Sequence, residues 1–161
     1  MMGRRRCFPL ICLYTFRISD AVTNASAGIS SFRRGSRSGR FERSPRDEHY
    51  RPRMVYGAAW TALTYAGPLY YAVLSFRPLR NVALRLFGYR GSLDVTLYPD
   101  TWMRDLPLLD LAPGVYIANR ATMGTNIVRP DGTILVDRIT VGAGSVVGHL
   151  AMVGPGTEIG D

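Results

Sequence analysis

Lysine is absent from these 161 residues, so arginine supplies all 20 basic side chains. We read that bias as GC-rich coding, which points to a bacterial source. A phosphate-cradling loop of the type that closes on a lysine is excluded by the same absence. Cysteine is nearly absent: Cys7 and Cys12 both lie close to the N-terminus, which supports neither a disulfide framework nor a Cys-ligated metal site. Histidine is as scarce, with only His49 and His149. Zinc takes three or four converging N, S or O ligands. One imidazole in the C-terminal half is too few, so no bound metal and no bound cofactor are expected.

Acidic charge is missing where basic charge is dense. Residues 1–53 hold 12 Arg against 4 acidic residues, whereas residues 54–161 hold 8 Arg against 8. The formal charge of +8 is therefore a property of the leading third, and no specific nucleic-acid binding is expected from the remainder. Arg4, Arg5 and Arg6, the apolar run at 7–16 and the A-S-A of Ala25 to Ala27 imitate a signal peptide. The run is short, however, and Arg17 and Asp20 interrupt the approach to the cleavage site. From Ser30 to Arg53 the composition is mostly Arg, Ser, Gly and Pro, with little to bury, so residues 1–53 read as a disordered basic leader; an RNA- or DNA-binding tail is one reading of it, and a solvated linker or an upstream start is the favoured one.

Residues 54–76 carry no charge for 23 positions and are flanked by Arg51, Arg53, Arg77 and Arg80. At about 1.5 Å per residue such a helix reaches across a hydrocarbon core of about 30 Å. Pro68 would kink it, and the aromatics are spread along it, so the alternative is a helix packed on the base of the domain that follows. Membrane association is expected, as a span or an in-plane anchor, with that domain on the cytoplasmic side. Leu79, Val82, Ala83, Leu86 and Phe87 then fall at helical spacing, and Gly88 and Gly91 end the pattern, giving a unit at 54–90. Residues 91–110 read as a crossover, with a strand near Leu93 to Tyr98 and Trp102 as a plug over the open end of the next unit.

From Leu111 onward the chain repeats every six residues. The first slot of each hexapeptide holds Leu111, Ile117, Met123, Arg129, Leu135, Val141, Val147, Val153 and Ile159, of which eight are apolar. The next slot is mostly Gly or Ala, and the fifth is small or β-branched. Helices repeat near 3.6 and ordinary strands near 2, so a period of six points to stacked coils of parallel strand. The fourth slot, with Gly114, Asn126, Gly132, Gly144 and Gly156, is the expected corner, because these residues tolerate positive φ. Arg120, Arg138 and Leu150 break that column.

The runs V-G-A-G-S-V from Val141 and V-G-P-G-T-E-I-G-D from Val153 resemble the hexapeptide repeats of left-handed β-helix acyltransferases. The resemblance covers residues 111–161. It implies three hexapeptides per triangular coil, commonly trimeric assembly, and acyl transfer from a thioester donor in a cleft between neighbouring prisms. An apolar segment followed by hexapeptides also resembles the membrane-associated C-terminal region of nonribosomal-peptide-synthetase-like proteins of the poly-lysine synthetase type.

One segment strains the repeat. Arg129 occupies an inward slot, and R-P-D-G-T places a Pro and an Asp-Gly turn pair where a coil strand belongs. Residues 127–136 are therefore expected to leave the coil as a β-hairpin. In the poly-lysine-synthetase-like regions a comparable excursion is associated with a His-containing stretch; here the matching T-N-I-V has Asn126 instead. His149, in a corner slot, is the candidate general base, since imidazole as a group suits proton transfer near neutral pH. In a strict 18-residue register Asp131 lies one coil below it, about 4.8 Å away, and would orient the ring. A hairpin removes that alignment. In the same frame Tyr116, Ile134 and Met152 stack on one outer face and Val128 and Val146 on another, while Thr122, Thr140 and Glu158 make the third. Two apolar faces call for a partner, first a homotrimer, then a membrane or another part of a longer chain.

The chain thus reads as mainly β. A left-handed parallel β-helix of about three coils, incomplete at its C-terminal end, follows an apolar helix and a disordered basic leader. At 18 residues per coil, residues 111–161 make about 2.8 coils without a polar cap, so a longer protein carrying further coils is expected, and this part of it is expected to be inactive by itself. Two functions fit. One is an acyltransferase or acyltransferase-like domain using acyl-CoA or an acyl-carrier thioester as cosubstrate and a hydroxyl or amine as acceptor. The other is a non-catalytic scaffold or trimerisation module of a membrane-associated synthetase.

Overall fold

The computed structural model describes residues 38–160. The signal-like run, Cys7, Cys12 and most of the leader lie outside the described residues. The fold is mixed α and β rather than mainly β, with 31% helix and 25% strand. The balance has a local cause. Coil strands are only two or three residues long because corners consume the rest of each hexapeptide, whereas residues 50–86 are nearly all helical.

Nine short strands form three parallel sheets that the chain visits in rotation. β2 (Thr96–Leu97), β3 (Trp102–Met103) and β4 (Leu109–Leu111) make the first coil. β5 (Tyr116–Ile117) pairs with β2 and β6 (Thr122–Met123) with β3. An antiparallel hairpin, β7 (Asn126–Val128) and β8 (Thr133–Val136), follows before β9 (Ile139–Val141) closes the second coil against β4. The third coil is β10 (Val146–Val147) on β5, β11 (Met152–Val153) on β6 and β12 (Glu158–Ile159) on β9. Leu97, Ile117 and Val147 stack inside one sheet, Met103, Met123 and Val153 inside the second, and Leu111 and Val141 inside the third, all buried. Full burial of such side chains is worth about 1.5–3 kcal/mol each.

The crossover at 91–110 is therefore the first coil. Its period escaped notice because a 3₁₀ turn at Leu106–Leu108 lengthens one of its steps, so that Met103 and Leu111 are eight residues apart instead of six. The hairpin expected at 127–136 is present. Val141 follows Met123 by 18 residues where one step of the coil needs six, so the excursion inserts two whole hexapeptides and leaves the numerical phase intact. Arg129 and Leu135 fill inward slots only on paper.

Three helices cover the first coil: α1 (Tyr50–Tyr65), α2 (Gly67–Ser75) and α3 (Arg77–Leu86). The uncharged run at 54–76 is broken at Ala66, ahead of Pro68 in the first turn of α2. Among the described residues no helix is long and apolar enough to cross a membrane. Helix α3 ends on Gly88 at φ +84, with Gly88 N–H donating to the Arg85 carbonyl and Tyr89 N–H to that of Leu84, a Schellman motif.

These helices, and not Trp102, plug the coil. Trp60 is buried and donates its indole N–H to the Met103 carbonyl at 2.7 Å, and the Tyr70 hydroxyl donates to that of Thr101 at 3.0 Å. Trp102 faces outward at 40% exposure, its ring under the Arg104 guanidinium. Below the helices, Arg53 and Asp105 form a buried ion pair, and Thr125 donates its hydroxyl to the same carboxylate at 2.6 Å.

Part of the expected disordered leader is folded. β1 (Gly39–Glu42) adds to the hairpin antiparallel to β8, with Phe41 packed beside Ile134 and Arg40 paired with Asp131. Four alternating residues are too short a pattern to stand out in an Arg- and Ser-rich stretch.

Candidate functional site

The corner between β5 and β6, residues 118–121, lies directly under the corner between β10 and β11, residues 148–151. The offset is 30 residues, and it sets Asn119 beneath His149. The Asn119 carbonyl lies 2.9 Å from His149 Nδ1. A carbonyl can only accept, so Nδ1 carries the proton of the neutral ring and Nε2 keeps its lone pair. The ring is exposed, and its one fixed partner sets both its tautomer and its direction.

The same corner holds its backbone in an unfavourable region on both coils. Arg120 has φ +56 and Leu150 φ +59, where a side chain costs about 1–2 kcal/mol. The other stacked corner, between β4 and β5 and between β9 and β10, uses Gly114 and Gly144 at φ +77 and +70. Arg120 and Leu150 thus share the corner geometry of the glycines that the repeat elsewhere supplies. Asn126 does not: it lies in β7, and the positive φ of Gly132 belongs to the hairpin turn. Strain without glycine clusters at functional sites.

Arg120, next to Asn119 in the chain, turns its side chain away from His149 towards the first coil. Arg120, 71% exposed, reaches Asp100 of the first coil at 4.0 Å. Around the imidazole the surface is apolar, with Val146, Leu150 and Met152 at 66, 60 and 84% exposure. An exposed imidazole with a bare Nε2 and an apolar apron can accept a proton from a hydroxyl or amine brought against it. Asn119 and Arg120 were missed by sequence reasoning. The signal that finds them is the hairpin, because removing two hexapeptides from the count brings residue 119, and not 131, beneath 149.

Asp131 is not part of this corner. It sits in the hairpin turn, where its carboxylate accepts from the Thr133 hydroxyl and from Thr133 N–H at 2.9 Å and pairs with Arg40. The Thr133 hydroxyl, then its amide, hold the Asp131 carboxyl below the usual carboxylate range, and Arg40 adds to this. The expected His149–Asp131 pair is not formed, for the same reason of register.

The outer faces shift too. Thr96, Tyr116 and Val146 stack on one sheet, Trp102, Thr122 and Met152 on the next, and Asp110, Thr140 and Glu158 on the third. Among the described residues no three His, Cys, Asp or Glu side chains converge as a metal site would require. Comparison with protein-family models, with curated proteins and with solved structures gives no match for this chain.

Proposed function

We propose that the three sheets wind as a left-handed β-helix and that the chain is an acyltransferase or acyltransferase-like domain. It would move an acyl group from a CoA or carrier-protein thioester to a hydroxyl or amine. The observation that carries the reading is the His149–Asn119 contact, which leaves Nε2 as the basic atom of an exposed ring. In the reaction the acceptor O–H or N–H gives its proton to Nε2 as the heteroatom attacks the thioester carbonyl. Collapse of the adduct breaks the C–S bond, and the departing sulfur takes the proton back from the imidazolium.

The apolar apron of Val146, Leu150 and Met152 supports a homotrimer, or packing within a longer chain, that would enclose His149 against a neighbouring surface. Membrane association is proposed as in-plane contact, not as a span. Leu69, Phe76, Leu79, Val82 and Leu86 are exposed on the helices, and residues 50–93 contain six Arg and no acidic residue. The coils would then lie on the cytoplasmic side of that membrane.

The test is acyl transfer by the protein in its native assembly, with His149→Gln as the variant. A loss of about 10²- to 10⁴-fold in turnover, with assembly and folding unchanged, is the expected result. The scaffold reading is favoured by that same apolar apron. It predicts that His149→Gln changes nothing while Met152→Glu dissolves the assembly, as read by light scattering after size-exclusion chromatography.

A further inference from the structure

Over the start of the first coil lies a buried cation that has no counter-ion among the described residues. Arg80, in the first turns of α3, is only 4% exposed. The one hydrogen bond of its side chain among the described residues runs from Nη2 to the Leu93 carbonyl at 3.3 Å, and its Nε has no partner there. Among the described residues no carboxylate pairs with it. Asp94, the nearest acid in sequence, is exposed and lies 3.7 Å from Arg77 instead. Burial, and then the like charge of Arg77, lower the proton affinity of the Arg80 guanidinium from its ordinary value. Guanidinium nonetheless stays protonated in proteins. A desolvated, uncompensated charge is costly and persists where something in the working state offsets it.

The room for that partner is present. Arg80 lines a cleft of about 500 Å³ between the α2–α3 junction and the first coil, together with Ser75, Arg77, Thr96 and Tyr98, and with Asp94, whose exposed carboxylate faces Arg77 at the rim. That size lies within the range of small-ligand sites. The α3 N-terminus opens beside it: Phe76 at the N-cap offers no side-chain cap, and Pro78 is in the first turn. The free amides at the start of this ten-residue helix add partial positive charge to the two guanidinium groups, of which Asp94 offsets Arg77 at the exposed rim and leaves the buried Arg80 uncompensated.

We propose that this cleft binds a phosphate group, with Arg80 as the buried anchor, Arg77 as the outer clamp and the start of α3 as a third source of positive potential. Phosphate matches planar guanidinium donors and a helix N-terminus at once. Two sources share this chemistry: a phospholipid headgroup, favoured by exposed Phe76 and Leu79 beside the cleft, and a soluble phosphorylated ligand. The site does not depend on acyl transfer by the coils, and its test reads no turnover.

The experiment is thermal unfolding of the full chain with inorganic phosphate, against sodium chloride of equal ionic strength, for the wild type, Arg80→Met and Arg77→Ala. The expected result is a saturable rise of about 3 °C or more in the wild-type Tm at phosphate well above Kd. Arg77→Ala should need more phosphate for the same rise, and Arg80→Met should show none while unfolding without phosphate at or above the wild-type temperature. No rise in the wild type, or an equal rise in Arg80→Met, would overturn the proposal. Should Arg80→Met fail to fold, calorimetric titration of the wild type and Arg77→Ala decides, and absence of saturable heat is the negative result. Sedimentation with vesicles of phosphatidylcholine, with and without phosphatidic acid, separates the sources. Capture that needs phosphatidic acid and Arg77 assigns a lipid headgroup; phosphate binding without capture assigns a soluble ligand.

Discussion

The coils and the helices that cover them are stabilised in different ways. In the coils each residue does a job set by its slot, and the job recurs on the next level: Ile117 lies on Leu97 and beneath Val147, and Gly144 lies over Gly114. In the cover every contact is made once. Trp60 reaches Met103, Tyr70 reaches Thr101, and Arg53 meets Asp105 beneath α1. A repeat spreads its stability over many equivalent neighbours, whereas the cover concentrates it in a few polar contacts, each without a duplicate.

That contrast is sharpest at the buried ion pair. Asp105→Ala strands the Arg53 guanidinium, 5% exposed, and should destabilise the protein by about 3–5 kcal/mol in urea unfolding. The double change Arg53→Met, Asp105→Leu should recover most of that loss, because no unpaired charge is left behind. An equal loss in both would mean that the pair acts through packing alone.

Within the coils the corners give a smaller effect of two signs. Gly144→Ala should cost about 1–2 kcal/mol, since nothing crowds the added Cβ and only φ +70 resists it. Leu150→Gly should gain about 1 kcal/mol at φ +59. Equal and small effects at the two sites would show that the corners are not held in this geometry.

The smallest effect belongs to the hairpin. The Asp131 carboxyl titrates below its ordinary value of 3.8, so its contribution to stability is complete above that pH and is lost as pH falls through the lower folded value. Hydrogen exchange of the β1 amides, residues 39–42, should therefore quicken below pH 4 before the coils open. Simultaneous opening of both would place β1 and the coils in one cooperative unit.

What was legible in the sequence follows the same division. The period of six from Leu111 gave the coil strands and three of the glycine corners, and R-P-D-G-T gave the hairpin. The first coil was not legible, because the extra residues around Leu106 break its phase. Nor was β1, since Phe41 finds its register only on Ile134, nearly a hundred residues later. The uncharged run at 54–76 passes for a span because apolar composition fits lipid and a buried face alike. Ala66 and Pro68 divide it, and Trp60 and Tyr70 find polar partners on the coil. At the site, His149 was visible as the only imidazole of the repeat, but its partner was not. Two inserted hexapeptides preserve the count modulo six and still change which residue lies below.

The measurement that bears most directly on the account is the ¹⁵N chemical shifts of the His149 imidazole in the neutral ring. His49→Gln removes the other histidine and makes the assignment unambiguous. The account predicts a protonated Nδ1, hydrogen-bonded to the Asn119 carbonyl, and a bare Nε2. A ring protonated at Nε2 would contradict it, because Nδ1 could then not donate to the Asn119 carbonyl and Nε2 would have no lone pair to act as the base.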